Sequence, residues 1–181
     1  MLRRFLDWLY DAAGAVAAIF LMAIVAIVLG QVILNIVNAL GFRLFGQASG
    51  FSIPGYAELA GYFLSGSVFL GLAPTLRSGG HIRVGLLISG LKGPARRLVL
   101  LWSVIVAGGL SAFASVHMLA MVRESYEFGD LAQGLLPIPL WIPQSLPAAG
   151  LLVLAVALAD QAVGLLSGDD TDRESVEKYQ V

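Results

Sequence analysis

The chain has 181 residues, of which 58% are hydrophobic and only 13% are charged, and its net charge is −1. Soluble domains carry about 25% charged residues, so this composition excludes an ordinary soluble enzyme. The near-neutral charge provides no general attraction to nucleic acid, and no nucleic-acid partner is expected. Because the chain has no cysteine, disulfide bonds, thiolate metal sites and cysteine nucleophiles are excluded as well.

Four long stretches of the chain lack Asp, Glu, Lys and Arg: residues 12–42, 59–76, 98–122 and 131–159. A membrane-spanning helix needs about 17–25 apolar residues, so each stretch can supply one span. The segment from Glu58 to Arg77 would measure about 28 Å as a helix, close to the thickness of the hydrocarbon core. We therefore predict an all-α integral membrane protein, with a four-span domain over residues 1–166 and spans near 12–38, 57–77, 97–122 and 141–165.

The first apolar stretch follows Met1–Arg4, an arrangement that a signal peptide could also show. Against a signal peptide, the stretch is far longer than a signal-peptide core, and Asp7 and Asp11 interrupt its start. We expect an uncleaved first span. This span is longer than a bilayer requires, so it should either tilt strongly or protrude on one side.

Lys and Arg are distributed unequally between the two sides of the predicted membrane domain. The two tails and the second loop contain most of them: Arg3, Arg4, Arg77, Arg83, Lys92, Arg96, Arg97, Arg173 and Lys178. The first and third loops contain only Arg43 and Arg123. Since cytoplasmic loops are enriched in Lys and Arg, both termini are predicted to be cytoplasmic, and residues 167–181 to form an acidic, mobile cytoplasmic tail.

The second loop carries a helical pattern of its own over residues 82–92. Its apolar residues Val84, Leu87, Ile88 and Leu91 share one face of a helix. The pattern predicts a short amphipathic helix between spans 2 and 3 that lies in the headgroup layer. A cytoplasmic helix packed on a partner protein is the alternative interpretation.

Polar and small side chains mark candidate packing faces on the spans. Gln31, Asn35 and Asn38 lie on one face of the first helix. Amide side chains in contact with lipid are costly, so this face should meet protein or the outer headgroup layer. Two stripes of small residues allow close helix packing, either among the four helices or against a partner: Ala57, Gly61 and Ser65, and Ala107, Ser111 and Ser115.

The sequence offers no constellation for catalysis, and we predict no catalytic residue, metal ligand or cofactor. His81 and His117 are expected near opposite membrane faces, which is too far apart to ligate one haem iron. No ionisable residue lies near the predicted midplane, where ion-coupled carriers usually place one. A small membrane haem or redox anchor subunit and a stand-alone carrier or channel remain as alternatives to a non-catalytic scaffold.

Two segments carry a more specific signal. The first combines Glu58-Leu-Ala, Phe69-Leu-Gly-Leu-Ala and Arg77-Ser-Gly-Gly-His-Ile-Arg-Val, and the second is Gly134-Leu-Leu-Pro-Ile-Pro-Leu-Trp-Ile-Pro. Together with the span number and topology, they resemble the small permease (DctQ-type) subunit of tripartite ATP-independent periplasmic (TRAP) transporters. The resemblance extends over about residues 10–165. It implies a bacterial inner-membrane protein that serves as a scaffold subunit in sodium-coupled uptake of an organic acid.

The resemblance also implies partners and contact residues. The partners would be a large multi-span permease subunit, a periplasmic solute-binding receptor and membrane phospholipids. A cytoplasmic-side anchor to anionic headgroups or to the large subunit would be formed by Arg77, His81 and Arg83. The alternative interpretation is that these residues only set the topology. Glu58 would face the receptor, pair with the large subunit or remain a solvated carboxylate, and Trp141 would fix the outer end of the last helix.

Overall fold

The computed structural model describes residues 2–47, 49–78 and 94–167. This part of the chain forms four helices: α1 (Leu2–Phe45), α2 (Tyr56–Arg77), α3 (Pro94–Phe128) and α4 (Trp141–Ser167). It contains no β-strand, and only an isolated antiparallel bridge joins Leu131 to Pro139. All four helices are long and apolar enough to cross a membrane. The predicted all-α fold with four spans is confirmed. The predicted amphipathic helix at 82–92, and the predicted tail beyond Ser167, lie outside the described residues.

The helices pack side by side rather than as a closed square. Helix α2 packs on both α1 and α4, and α3 packs on α4, whereas α1 touches α4 only slightly. The resulting layer has the order α1–α2–α4–α3, with α1 and α3 at its edges. Both edge helices expose large apolar side chains along much of their length, as expected for surfaces that meet lipid or a partner subunit.

The layer has two chemically different ends. The first, which we term the N/C end, holds the beginnings of α1 and α3 and the ends of α2 and α4. A buried cluster of Tyr10, Ala73 and Ala157 lies close to it and joins α1, α2 and α4. The opposite end, which we term the two-loop end, holds the connecting residues 46–55 and 129–140. Each polar site described below belongs to one of these ends.

Close backbone contact in the middle of the layer depends on glycine. A Cβ atom at Gly150 of α4 would lie only 2.4 Å from the backbone carbon of Phe69 in α2. At Gly66 of α2 it would collide with the ring of Phe20 and with the side chain of Leu146. These contacts fix the spacing between α2 and its two neighbours.

Candidate functional site

Two of the three amide side chains of α1, Gln31 and Asn38, bind the loop that follows their own helix. Gln31 is buried, and its Oε1 accepts a hydrogen bond of 2.8 Å from the backbone N–H of Ile53. Its Nε2 donates to Asn35 Oδ1 over 3.0 Å. Asn38 Nδ2 donates to the carbonyl of Phe51 over 2.8 Å. The sequence allowed this face to contact either protein or the outer headgroup layer. In the structure it contacts protein, namely the first loop of the same chain.

Replacing Gln31 by alanine is expected to loosen the first loop. The change removes the acceptor for the Ile53 N–H and the donor to Asn35, and water can replace only part of this, so the cost is about 1 kcal/mol. Asn35→Ala, which removes only the exposed partner of Gln31, should cost less. Thermal unfolding of both variants in detergent measures the difference, and equal stability of Gln31→Ala and the unchanged protein would contradict the assignment.

Glu58 joins the first turn of α2 to the third loop. Its Oε1 accepts a hydrogen bond of 2.9 Å from the backbone N–H of Leu135. The carboxylate also fills the space where Gly134 has no side chain, since a Cβ atom there would collide with it. The position in the first helical turn is favourable for a negative charge. We term this contact of Glu58 with Leu135 and Gly134 the clamp. Glu58 Oε2 is buried without a hydrogen-bond partner, so the clamp uses only one of the two carboxylate oxygens as an acceptor.

The third loop is a closed hairpin rather than an open connection. Helix α3 ends at Phe128, and the next residue, Gly129, has a φ of 67° that suits glycine. The N–H of Asp130 bonds back to the carbonyl of Ser125 over 3.1 Å. The N–H of Leu140 then bonds to the Asp130 carbonyl over 2.9 Å, which closes the base of the loop. Its tip is therefore held in one place, where Glu58 can reach it.

Trp141 stands at the foot of this hairpin, as the first residue of α4. Its ring meets Tyr126 of α3 edge to face, with ring centroids 5.7 Å apart and planes at 83°. Aromatic pairs in this geometry contribute about 0.5–1.5 kcal/mol beyond their buried area. The contact ties α3 and α4 together at the two-loop end.

At the N/C end, basic side chains connect pairs of helices. Arg77 at the end of α2 pairs with Asp7 of α1 over 2.6 Å, and its guanidinium lies 5.7 Å from the ring centre of Tyr10. Arg97 in the first turn of α3 donates to the carbonyls of Leu165 and Leu166. Those carbonyls belong to the last turn of α4, where a positive charge is favourable.

The remaining candidates from the sequence are the two histidines and Arg83. His81 and Arg83 lie outside the described residues. His117 Nδ1 donates to the Phe113 carbonyl of its own helix over 2.9 Å. Among residues 2–47, 49–78 and 94–167, no three His, Asp or Glu side chains lie close enough together to hold a metal ion.

The two stripes of small residues also differ in how deeply they are buried. Ser111 and Ser115 of α3 are buried, and the Ser115 hydroxyl faces the Ala148 carbonyl of α4 at 3.5 Å. Ala57 of α2 is exposed instead, and a side chain at Gly61 would meet nothing within 4 Å. In the first stripe Ser111 and Ser115 thus pack inside the chain, whereas Ala107 is exposed. In the second stripe Ala57 and Gly61 are exposed and Ser65 is half-buried.

Comparison with known protein families identifies the family to which the chain belongs. The profile of the family described as "Tripartite ATP-independent periplasmic transporters, DctQ component" matches residues 32–168. The chain belongs to the DctQ family. A comparison with curated proteins finds no match. The DctQ match contains α2, α3, α4 and the last part of α1, and begins later than the resemblance found in the sequence, which extended from about residue 10.

Membership in the DctQ family fixes the general role of the chain. It is the small component of a TRAP transporter and a multi-pass membrane protein. DctQ proteins operate with a large TRAP permease and a periplasmic receptor. The matched region includes Asn35, Asn38, Glu58, Arg77 and Trp141, whereas Gln31 and Asp7 precede it.

Several contact residues of this DctQ chain were not singled out by the sequence analysis. Arg97 was counted only as a positive charge that sets topology, and Asp7 only as an interruption of the apolar run. Gly134 appears there only as the first residue of a motif, without a role of its own. The available signal for Gly150 was its place in a span rich in larger apolar residues, where glycine often marks close backbone approach.

Proposed function

We propose that this chain is a non-catalytic scaffold subunit of a sodium-coupled TRAP transporter that imports an organic acid across the bacterial inner membrane. The observation that carries the proposal is the DctQ match over residues 32–168. In this proposal the N/C end faces the cytoplasm, in agreement with its Lys and Arg content, and the two-loop end faces the periplasm. The large permease holds the substrate and sodium sites.

The contacts of the polar side chains support a scaffold role. Gln31 and Asn38 hold the first loop, Glu58 holds the third loop, and Arg97 caps α4. Each of these groups uses its hydrogen bonds to fix one part of the chain against another. A rigid layer of this kind is suited to keep a larger neighbour in a constant orientation relative to the bilayer.

The two-loop end is the surface that we propose for contact with the periplasmic receptor. Arg123 and Glu127 pair with each other on exposed α3, and Glu124 and Asp130 add negative charge near the third loop. Complementary charge on an arriving receptor would speed its encounter with this surface. The clamp by Glu58 would keep the loop in one orientation for that contact.

Co-purification tests the proposed function. The affinity-tagged chain is co-expressed with the large permease and extracted in a mild detergent, and a tagged unrelated four-span protein serves as the control. We expect the large permease to elute with this chain in a constant ratio and not with the control. Failure to recover the permease under any mild extraction would reject the scaffold function.

A further inference from the structure

A polar junction lies where α1, α2 and α4 meet at the N/C end. Arg77 of α2 pairs with Asp7 of α1 over 2.6 Å and lies beside the ring of Tyr10. Asp160 of α4 also lies close enough to the Tyr10 hydroxyl to act on it electrostatically. Because this junction combines two carboxylates with one guanidinium, it carries an excess of negative charge.

Two oxygen atoms at this junction are buried without a hydrogen-bond partner. Tyr10 is 2% exposed, and its hydroxyl has no partner in the part of the chain that the structure describes. The same holds for Oε1 of Gln161, which lies one turn after Ala157, a residue that is buried in one cluster with Tyr10. Unpaired buried oxygens are uncommon in folded proteins and indicate a missing partner. The neighbouring Asp160 is exposed and forms no ion pair with any described residue.

The missing partner must donate hydrogen bonds. The amide oxygen of Gln161 and the carboxylate of Asp160 can only accept them, and the Tyr10 oxygen can accept as well. The excess negative charge favours a cation. A primary ammonium group is a cation with three N–H donors, one for each of these groups. A divalent metal is less suitable, because no three carboxylate or imidazole groups come together among the described residues.

The junction lies at the depth of the lipid headgroups. Arg77 ends the segment from Glu58 that matches the thickness of the hydrocarbon core, and the side chains of Arg77 and Asp7 are 46% and 44% exposed. The Arg77 guanidinium pairs with Asp7 through one nitrogen and has further N–H groups for a phosphate oxygen. A phosphoethanolamine headgroup carries an ammonium group and a phosphate group close together, so it can contact Asp160 and Arg77 at once.

We propose that this junction binds the headgroup of an amine-bearing phospholipid, with the ammonium on Asp160 and the phosphate on Arg77. Gln161 is half-buried, and rotation of its side chain lets the bound ammonium reach the Gln161 and Tyr10 oxygens. The sequence allowed Arg77 to bind anionic headgroups. Because Asp7 already neutralises Arg77, a zwitterionic headgroup fits the junction better than an anionic one. The bound lipid links α1 to α4, which touch each other only slightly.

Lipid retention tests this site. The full chain is purified in detergent, stripped of residual lipid and mixed with equal amounts of phosphatidylethanolamine, phosphatidylcholine and phosphatidylglycerol, and native mass spectrometry counts the bound lipids. We expect phosphatidylethanolamine to be retained about fivefold more than either other lipid, because choline has no N–H and phosphatidylglycerol has no cation. Asp160→Asn should abolish this preference. Asp11→Asn, the same change of charge at an exposed position near the same end of α1, should keep it.

Thermal unfolding gives a second readout at Tyr10. Without lipid, Tyr10→Phe should leave the melting temperature unchanged or raise it, because it removes a buried hydroxyl that has no partner. With phosphatidylethanolamine, we expect the melting temperature of the unchanged protein to rise by about 3 °C. The rise in Tyr10→Phe should be clearly smaller, because the ammonium loses one of its acceptors.

Other results would overturn the inference. Equal retention of the three lipids, or a preference for phosphatidylglycerol, would exclude recognition of the ammonium group. A preference that survives Asp160→Asn would place the lipid elsewhere on the chain. If free ethanolamine raised the melting temperature as much as the same concentration of phosphatidylethanolamine, the ligand would be a soluble amine and not a lipid.

Discussion

Replacing Gly150 by alanine is expected to destabilise the protein strongly. The new Cβ would lie 2.4 Å from the backbone carbon of Phe69, and backbone atoms cannot move aside as a side-chain end can. Helices α2 and α4 would have to separate. Overpacking of this kind costs about 1–3 kcal/mol, and we expect the melting temperature in detergent to fall by about 3–10 °C.

Gly61 and Gly164 provide matched controls for this experiment. Both are helical glycines at which a Cβ atom would meet nothing within 4 Å. Alanine at either position should leave the melting temperature unchanged or raise it slightly, because alanine is the better helix former. If all three variants melted at the same temperature, the close contact between α2 and α4 would not exist as described.

Removal of the Glu58 carboxylate should release the third loop. In Glu58→Ala the Leu135 N–H loses its acceptor, and the space facing Gly134 is left empty. A hydrogen bond to a charged group contributes about 1.5–3 kcal/mol when it is well shielded, and less at this partly exposed site. We expect amide hydrogen exchange over residues 131–138 to accelerate about tenfold, while exchange in the middle of α3 stays the same.

Glu58→Gln separates the hydrogen bond from the charge. The glutamine side chain has nearly the same shape, and its carbonyl oxygen can still accept from Leu135, so loop exchange should stay within about threefold of the original. Gly134→Ala should instead resemble Glu58→Ala, because the added methyl group displaces the carboxylate. A Glu58→Ala protein whose third loop exchanges at the original rate would contradict the clamp.

The number and type of the helices could be predicted because they depend on local composition. Long stretches without charge, such as 98–122, leave few alternatives to a spanning helix. The ends of α1 were less predictable. Its helix continues to Phe45, well past the expected span limit near residue 38, because apolar residues and Arg43 sustain a helix even where no bilayer requires one.

The partners of the polar side chains could not be predicted, because they depend on contacts between distant parts of the chain. Gln31 was assigned to a packing face, but nothing in the sequence indicates that Ile53, beyond a turn, supplies its partner. Glu58 bonds to Leu135 across a separation of 77 positions. Such pairings follow from the order of the helices in the layer, in which α4 rather than α3 lies beside α2.

The small-residue stripes illustrate the same limit. Ser111 and Ala57 belong to stripes with the same spacing, yet only the first is buried inside the chain. Helical periodicity identifies a face, whereas the neighbour of that face is decided by the tertiary arrangement. The sequence therefore allowed both an internal role and a partner-binding role for each stripe.

The central claim is that this chain is a scaffold without a transport site of its own, and uptake by reconstituted vesicles tests it most directly. Proteoliposomes contain this chain alone, the large permease alone, or both, and a radiolabelled organic acid is supplied with its receptor and a sodium gradient. The account predicts sodium-dependent uptake only when both subunits are present, and none with this chain alone. Sodium-driven uptake by vesicles that contain only this chain would contradict the claim that it is a scaffold without a transport site of its own.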